Sequence, residues 1–229
     1  MNLSMKQKGK NLKRMVEFDA VFPYGGKEHF EAEQAVRLLR KHAKGLRDIY
    51  FIGESIPGVI HVPFVETDKK EINIWLKTLT ASLMDISERF LFMNDDHFIQ
   101  QDFEDIPYYH CGYLANYPAD EYYSVVIKRT IENLEKRGLN TFNFDIHTPF
   151  FVEKSKFLQV FNEFDPRLEI TMKSCYCNYL GIEGQYEPDM KIKSLMERWE
   201  FEPSLRDKFC FSTHENCITR DLRDYILQL

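Results

Sequence analysis

The tetrapeptide Phe90-Leu91-Phe92-Met93 is apolar at every position and runs straight into Asn94, Asp95 and Asp96. An apolar run too short for a helix and without polar alternation reads as a strand buried on both faces, the habit of a parallel sheet packed between helices. The preceding sequence agrees. VEFDAVFPY, positions 16 to 24, reads as a strand ending in a turn at Gly25-Gly26. Ala32, Ala35, Val36, Leu39 and Ala43 then recur at helical spacing, with Gly45 as a C-cap. DIYFIG is a second strand, GVIHVPF a short third, and Ile72, Trp75, Leu76, Leu79, Leu83 and Ile86 stripe the next helix. Strands separated by single helices are βαβ units, so the expected class is α/β: a Rossmann-like, mostly parallel sheet flanked by helices.

The second half is more irregular. It offers a helix over Glu121 to Arg137 stopped by Gly138, a Pro-bounded strand or loop at FNFDIHTPFF, and a helix at EKSKFLQVFNEF. A strand-like run then leads to Lys173, and an amphipathic helix with Leu222, Tyr225, Ile226 and Leu229 closes the chain. No repeat or linker interrupts it, so residues 16–229 read as a single domain behind a basic tail, residues 1–15.

Net charge is -6 with cations dispersed, which argues against a nucleic-acid partner. Met5 to Arg14 is the exception: its cations, with no anion among them, suit either peripheral contact with an anionic membrane or a solvated tail. No apolar run approaches a membrane span and no apolar segment follows the basic residues as in a secretory signal, so the expected location is cytoplasmic, with membrane-surface contact only through the tail. Cys111, Cys175, Cys177, Cys210 and Cys217 follow no disulfide spacing and read as reduced thiols. The oligomeric state is not legible.

In parallel sheets ligands bind outside the carboxyl ends of the strands, where Asp95 and Asp96 stand. Adjacent carboxylates repel unless a cation neutralises them, and hard oxygen ligands suit Mg²⁺ or Mn²⁺. Magnesium is commonly held by one or two carboxylates together with substrate phosphates, which makes a nucleoside diphosphate the natural third party. Alternatively Asp96 caps the following loop and Asp95 faces solvent. Lys77 can serve a diphosphate as a point charge; Lys173 can hold a phosphate or be a solvated side chain. His147, in FDIHTPFF, can accept a proton from a hydroxyl or ligate a metal, with Asp145 two residues away; His97 is a possible metal neighbour. The tyrosines from Tyr108 to Tyr123 suit either an acceptor wall or the packing of the second half.

FLFMNDDHFI resembles the NDD-x-F segment of the Stealth family, the sugar-1-phosphate transferases of capsular polysaccharide synthesis, and more broadly the GT-A glycosyltransferases. FDAVFPYGGKE is similar to that family's first conserved region, EAEQAVRLLRKHAKGLRDIYFIGES to the helix-strand segment after it, with Arg37 at an arginine of the pattern, and DIHTPFFVEKSKF to the later His-x-Pro region. The resemblance implies a GT-A-like fold, a nucleotide-sugar donor and a glycan acceptor. It implies that Asp95 and Asp96 hold the cation, that Asp96, Asp145 and His147 act in catalysis, and that Pro23, Tyr24, Gly25, Gly26 and Arg37 line the nucleotide pocket. An ordinary tight turn explains the same glycines. The family carries an acid where this chain has Gly25-Gly26, and Ser-His followed by Glu where it has Asn73, Ile74 and Lys77. Those departures favour glycosyl transfer in surface glycan synthesis, with sugar-1-phosphate transfer as the alternative and an inactive glycan-binding domain as a third. A nuclease or phosphatase is a weaker fourth, because such sites gather more acids around two metals.

Overall fold

The computed structural model describes residues 16–26 and 29–229; the basic segment Met5 to Arg14 lies outside the described residues. The first half alternates as expected, through β1 (Phe18–Phe22), α1 (His29–His42), β2 (Leu46–Ile52), β3 (Ile60–Val62), α2 (Lys70–Leu83) and β4 (Arg89–Phe92). The chain continues through β5 (His97–Ile99), β6 (Tyr109–His110), α3 (Glu121–Glu135), β7 (Phe150–Glu153), α4 (Lys154–Glu163) and α5 (Met172–Tyr179). It ends with β8 (Gln185–Tyr186), β9 (Lys191–Ile192), α6 (Arg198–Leu205), β10 (Cys210–Thr213) and α7 (Arg220–Gln228).

Five strands form the main sheet in the order β3-β2-β1-β4-β7. The first four are parallel, and β7 closes the edge antiparallel to β4, with Phe92 opposite Phe150 and Arg89 opposite Glu153. The molecule is thus α/β, a mostly parallel sheet flanked by helices. Among the described residues no helix is long and apolar enough to cross a membrane.

Period-two alternation divides β1 between two cores. Phe18, Ala20 and Phe22 pack with Ala32, Ala35, Val36 and Leu39 of α1. Val21 joins Phe90, Phe92, Phe150 and Val152 beneath Trp75 of α2 and Phe157 and Val160 of α4. Trp75 satisfies its one polar atom by donating to the Ile170 carbonyl at 2.9 Å. A third cluster, with Phe98, Phe211, Leu222, Tyr225 and Ile226, joins the small β5-β10-β9 sheet to α7.

Three features depart from the sequence expectation. Lys173 follows no strand: it lies in α5, whose short run is buried on nearly every side and so has no helical stripe to read. The small sheet is built of strands of two to four residues, too short to show a period. In α2, Leu83 is 68% exposed while Asn73 and Lys77 are buried, so polar residues occupy part of the inward face.

Strand order reverses at β1, because β2 and β3 build to one side and α2 carries the chain across to β4 on the other. Such a switch point opens a crevice at the carboxyl ends of the two strands. Gly53, just after β2, is fitted to this region: at φ +119° it occupies a conformation side chains avoid, and a Cβ would stand 2.1 Å from the Tyr24 carbonyl oxygen and 2.7 Å from Lys77 Nζ. Gly53→Ala is expected to cost at least about 2 kcal/mol. A urea titration should show this as a lower midpoint with unchanged slope.

Candidate active site

The carboxyl ends of β1 and β4 bring together the two segments singled out in the sequence. The Met93 amide donates to the Val21 carbonyl at 3.0 Å, so the turn after β1 and the carboxylates after β4 stand side by side. Tyr24 is buried, its ring edge-on to Phe51 at 5.2 Å. The Tyr24 carbonyl accepts from the Glu54 amide at 3.2 Å and from Lys77 Nζ at 2.9 Å. Lys77 is also ion-paired with Glu66, which Asn73 Nδ2 approaches at 3.4 Å. Lys77 therefore fastens the turn to α2 instead of projecting as a free point charge. Gly26, at φ +82°, holds a left-handed conformation that strains any side chain, and a Cβ there would also crowd the Glu54 side chain at 2.6 Å. Pro23 and the exposed Gly25 complete the turn.

Arg37 is not brought to this crevice. It lies two turns down α1 from the crevice end, donating to Gln34 Oε1 at 2.7 Å and to the Ile226 carbonyl at 2.7 Å, where it satisfies the C-terminal end of α7.

Asp95 and Asp96 occupy unequal environments. Burial, and then the neighbouring Asp96, push the Asp95 carboxyl up to about 6. Burial also opposes ionisation of Asp96, but His97, Lys191 and His147 outweigh it and hold Asp96 below the ordinary carboxylate range. Burial lowers His97 to about 3 in spite of Asp96, so the ring is neutral near pH 7 and Lys191 Nζ, 3.2 Å from Asp96 Oδ2, is the lasting partner. The other oxygen, Oδ1, is buried with no hydrogen-bond partner, 3.9 Å from His97 Nε2, which also has none. Because His97 Nδ1 accepts from the Asn94 amide at 3.3 Å, the proton of the neutral ring sits on Nε2. His97 therefore faces Asp96 as a donor, and is not poised to ligate.

These groups fit a divalent cation. Two adjacent carboxylates, one pushed upward by the other and one with a stranded buried oxygen, are what a hard cation relieves. Among the described residues no three His, Cys, Asp or Glu side chains converge as a metal cage. Further ligands would therefore come from substrate and water, as is usual for magnesium.

His147 lies in the turn entering β7. Its Nδ1 is 3.0 and 3.1 Å from the two oxygens of Asp189, and its backbone amide donates to Asp189 Oδ1 at 3.0 Å. Lys173 grips the same turn from below, donating to the carbonyls of Ile146 at 3.1 Å and Thr148 at 2.7 Å and to Thr148 Oγ1 at 3.2 Å. Burial lowers its ammonium to about 8, and its donors are directed to protein oxygens, leaving none aimed at a phosphate. Asp145 accepts the Tyr123 hydroxyl, and its own amide donates to Asn143 Oδ1 at 3.0 Å. Beside it Glu71, at 4% exposure, is raised to about 7 by burial and then by Asp145.

Sequence reading missed Asp189, Lys191 and Glu71. The signal for the first two is the D-x-K-x-K alternation of residues 189–193, which puts three charges on one side of an extended segment. Apolar periodicity passes over such a pattern. Glu71 looks like any acid in the first turn of a helix.

No family model and no curated protein matches the chain. Solved structures that resemble it include the glycosyltransferase GlyE of Streptococcus pneumoniae TIGR4, at 11% identity and TM-score 0.46, covering 93% of this chain and 60% of that one. This chain thus spans about three-fifths of the GlyE chain. A glycosyltransferase involved in glycosylation of the major capsid of PBCV-1 matches at 14% identity and TM-score 0.44, covering 93% and 100% of the two chains. An active-site mutant of LgtC matches at 12% identity and TM-score 0.47, covering 92% and 94%. At these scores the likenesses carry no weight for reaction or substrate.

Glu71 supplies a pH test. Its folded pKa lies above the unfolded value, so the folded state binds the extra proton between pH 4.5 and about 7 and the wild type loses stability as pH rises through that window. Glu71→Gln should therefore melt higher than wild type at pH 8, with the gap closing by pH 4.5, as followed by thermal unfolding at both pH values.

Proposed function

We propose that this chain is a metal-dependent glycosyltransferase that uses a nucleotide-sugar donor to extend a glycan acceptor in polysaccharide or surface glycan synthesis. The observation that carries the reading is the pairing, at the β1/β4 switch point, of a glycine turn with two carboxylates, one of whose buried oxygens lacks a partner. The resemblance of the NDD and His-x-Pro segments to transferases of activated sugars supports it independently.

In this reading Pro23, Tyr24, Gly25 and Gly26 form the nucleotide side of the crevice, where the glycines let a ligand approach the backbone. Asp95 and Asp96 would hold Mg²⁺ or Mn²⁺, which when bound supplies charge neutralisation to a departing diphosphate. Lys191 keeps Asp96 ionised. His147 Nε2 takes the proton of the acceptor hydroxyl as its oxygen attacks the anomeric carbon; the bond from that carbon to the diphosphate oxygen breaks, and the electron pair leaves with the nucleoside diphosphate. Lys173 and Asp145 hold the turn and its surroundings in place. Reaction at the cytoplasmic face of a membrane, with the basic tail in peripheral contact, suits such an acceptor.

The same resemblance favours one other reaction, in which the hydroxyl attacks the sugar-bearing phosphorus and sugar-1-phosphate is transferred with release of a nucleoside monophosphate. The test is incubation with a panel of uridine, guanosine and thymidine nucleotide sugars and a crude glycan extract, with and without Mn²⁺, followed by resolution of the released nucleotides. Metal-dependent nucleoside diphosphate is the expected product, and Asp95→Asn and Asp96→Asn should each reduce it on the order of 10²-fold. Monophosphate would select the alternative. Unchanged ligand binding in both variants, with no turnover, would mark an inactive glycan-binding domain.

A further inference from the structure

The geometry points to Asp189 as a positioning residue that fixes the tautomer and orientation of His147, so that Nε2 is the nitrogen offered to the acceptor. This inference rests on the transferase reading and names the group standing behind its base.

A carboxylate only accepts hydrogen bonds, so an imidazole nitrogen 3.0 Å from one must carry the proton. Nδ1 lies within 3.1 Å of both Asp189 oxygens, which in the neutral ring leaves the lone pair on Nε2. Asp189 Oδ1 also accepts the backbone amide of His147 at 3.0 Å, so a single oxygen holds the ring and its main chain. That double grip opposes both rotation of the ring and movement of the turn. Asp189 Oδ2 accepts the Tyr117 hydroxyl at 3.2 Å and lies 3.6 Å from Lys193 Nζ, so the carboxylate is itself fixed. Its side chain is 8% exposed against 25% for His147, which places the buried member behind the accessible one. Burial would raise the Asp189 carboxyl, but the hydrogen bonds from the His147 ring and amide and the charge of Lys193 hold it well below the usual range.

The carboxylate also arrives on the segment that serves the other half of the crevice. Two residues beyond Asp189, Lys191 pairs with Asp96. One short stretch of chain thereby braces both the proposed base and the carboxylate proposed to hold the cation.

Fastening of the 189–193 segment alone would move neither the His147 tautomer nor kcat at constant KM, so the test reads those quantities. Nitrogen-15 NMR of the labelled full-length protein, followed through a pH titration, reports which nitrogen of His147 keeps its proton once the ring is neutral, with His147→Gln identifying the resonance. The expected result is Nδ1–H in wild type and a mixed or Nε2–H ring in Asp189→Asn. Kinetics on the donor found above should show kcat for transfer reduced on the order of 10²-fold or more in Asp189→Asn, with the donor KM within about threefold. A wild-type ring protonated mainly on Nε2 overturns the inference whether or not the variant folds. An active wild type with Asp189→Asn within threefold in kcat overturns it and leaves the transferase reading intact. No nucleotide released from any donor overturns the transferase reading, and the catalytic role of Asp189 with it.

Discussion

Asp19, wholly buried in the central strand, ties three segments of backbone together. Its Oδ1 accepts the Asp48 amide at 3.1 Å, its Oδ2 accepts the Ser87 amide at 2.7 Å, and its own amide donates to Ser87 Oγ at 2.7 Å. Arg47, 3.3 Å away, offsets the charge. A carboxylate without these partners would be too costly to bury; with them it pins the entries of β2 and β4 to β1. Fixed entries set the registers Ala20 to Ile49 and Ala20 to Leu91, and those registers bring Gly25-Gly26 level with Asp95-Asp96 at the far end. The crevice therefore depends on a bond made at the opposite edge of the sheet.

A complementary device, a buried lysine donating to carbonyls, holds two irregular turns. Lys77 reaches from α2 to the Tyr24 carbonyl, and Lys173 from α5 to the carbonyls on either side of His147. Both helices contribute to the core on one face of the sheet, so two buried ammonium groups fasten the two halves of the crevice from a single rigid layer. A lysine inside a core is expensive, and a carbonyl in a turn without a partner is nearly as bad. Each offsets the other. The turns are thereby stiff where a loop would otherwise be mobile, which suits a site whose side chains must meet a ligand in one arrangement.

This arrangement explains how far the sequence could be read. The unbroken apolarity of Phe90 to Met93 reveals the buried strand, because burial on two faces leaves a direct imprint on composition, whereas of the stripe read from Ile72 to Ile86 only Trp75 and Ile86 are buried. The Asp95-Asp96 pair at a strand end is legible for the same reason, since the strand says where its end will lie. Lys77 and Lys173 stand out in sequence as charges, but nothing local tells a lysine that clamps a carbonyl from one that meets a phosphate. The difference lies in partners at Tyr24 and Thr148, 53 and 25 residues away. Asp189 is harder still, because its meaning resides wholly in His147, 42 residues earlier, and its neighbours Gln185 to Lys193 form only two-residue strands.

The imbalance of charge in the crevice bears on the order of events there. Asp96 is matched by Lys191, whereas Asp95 has no cation at contact distance among the described residues and is pushed upward by burial and by its neighbour. The cluster of Asp95, Asp96 and Lys191 therefore carries one carboxylate's excess of negative charge. A diphosphate entering alone would add to that excess and be repelled. A divalent cation entering alone would find two carboxylates and few other ligands, and would remain largely hydrated. Under the proposed function, the cation and the diphosphate entering together would add no net charge to the site, each supplying the ligands or neutralisation that the other lacks. Under the proposed function, the pair would thus favour entry of the donor as its metal complex, with Lys191 holding Asp96 ionised beforehand.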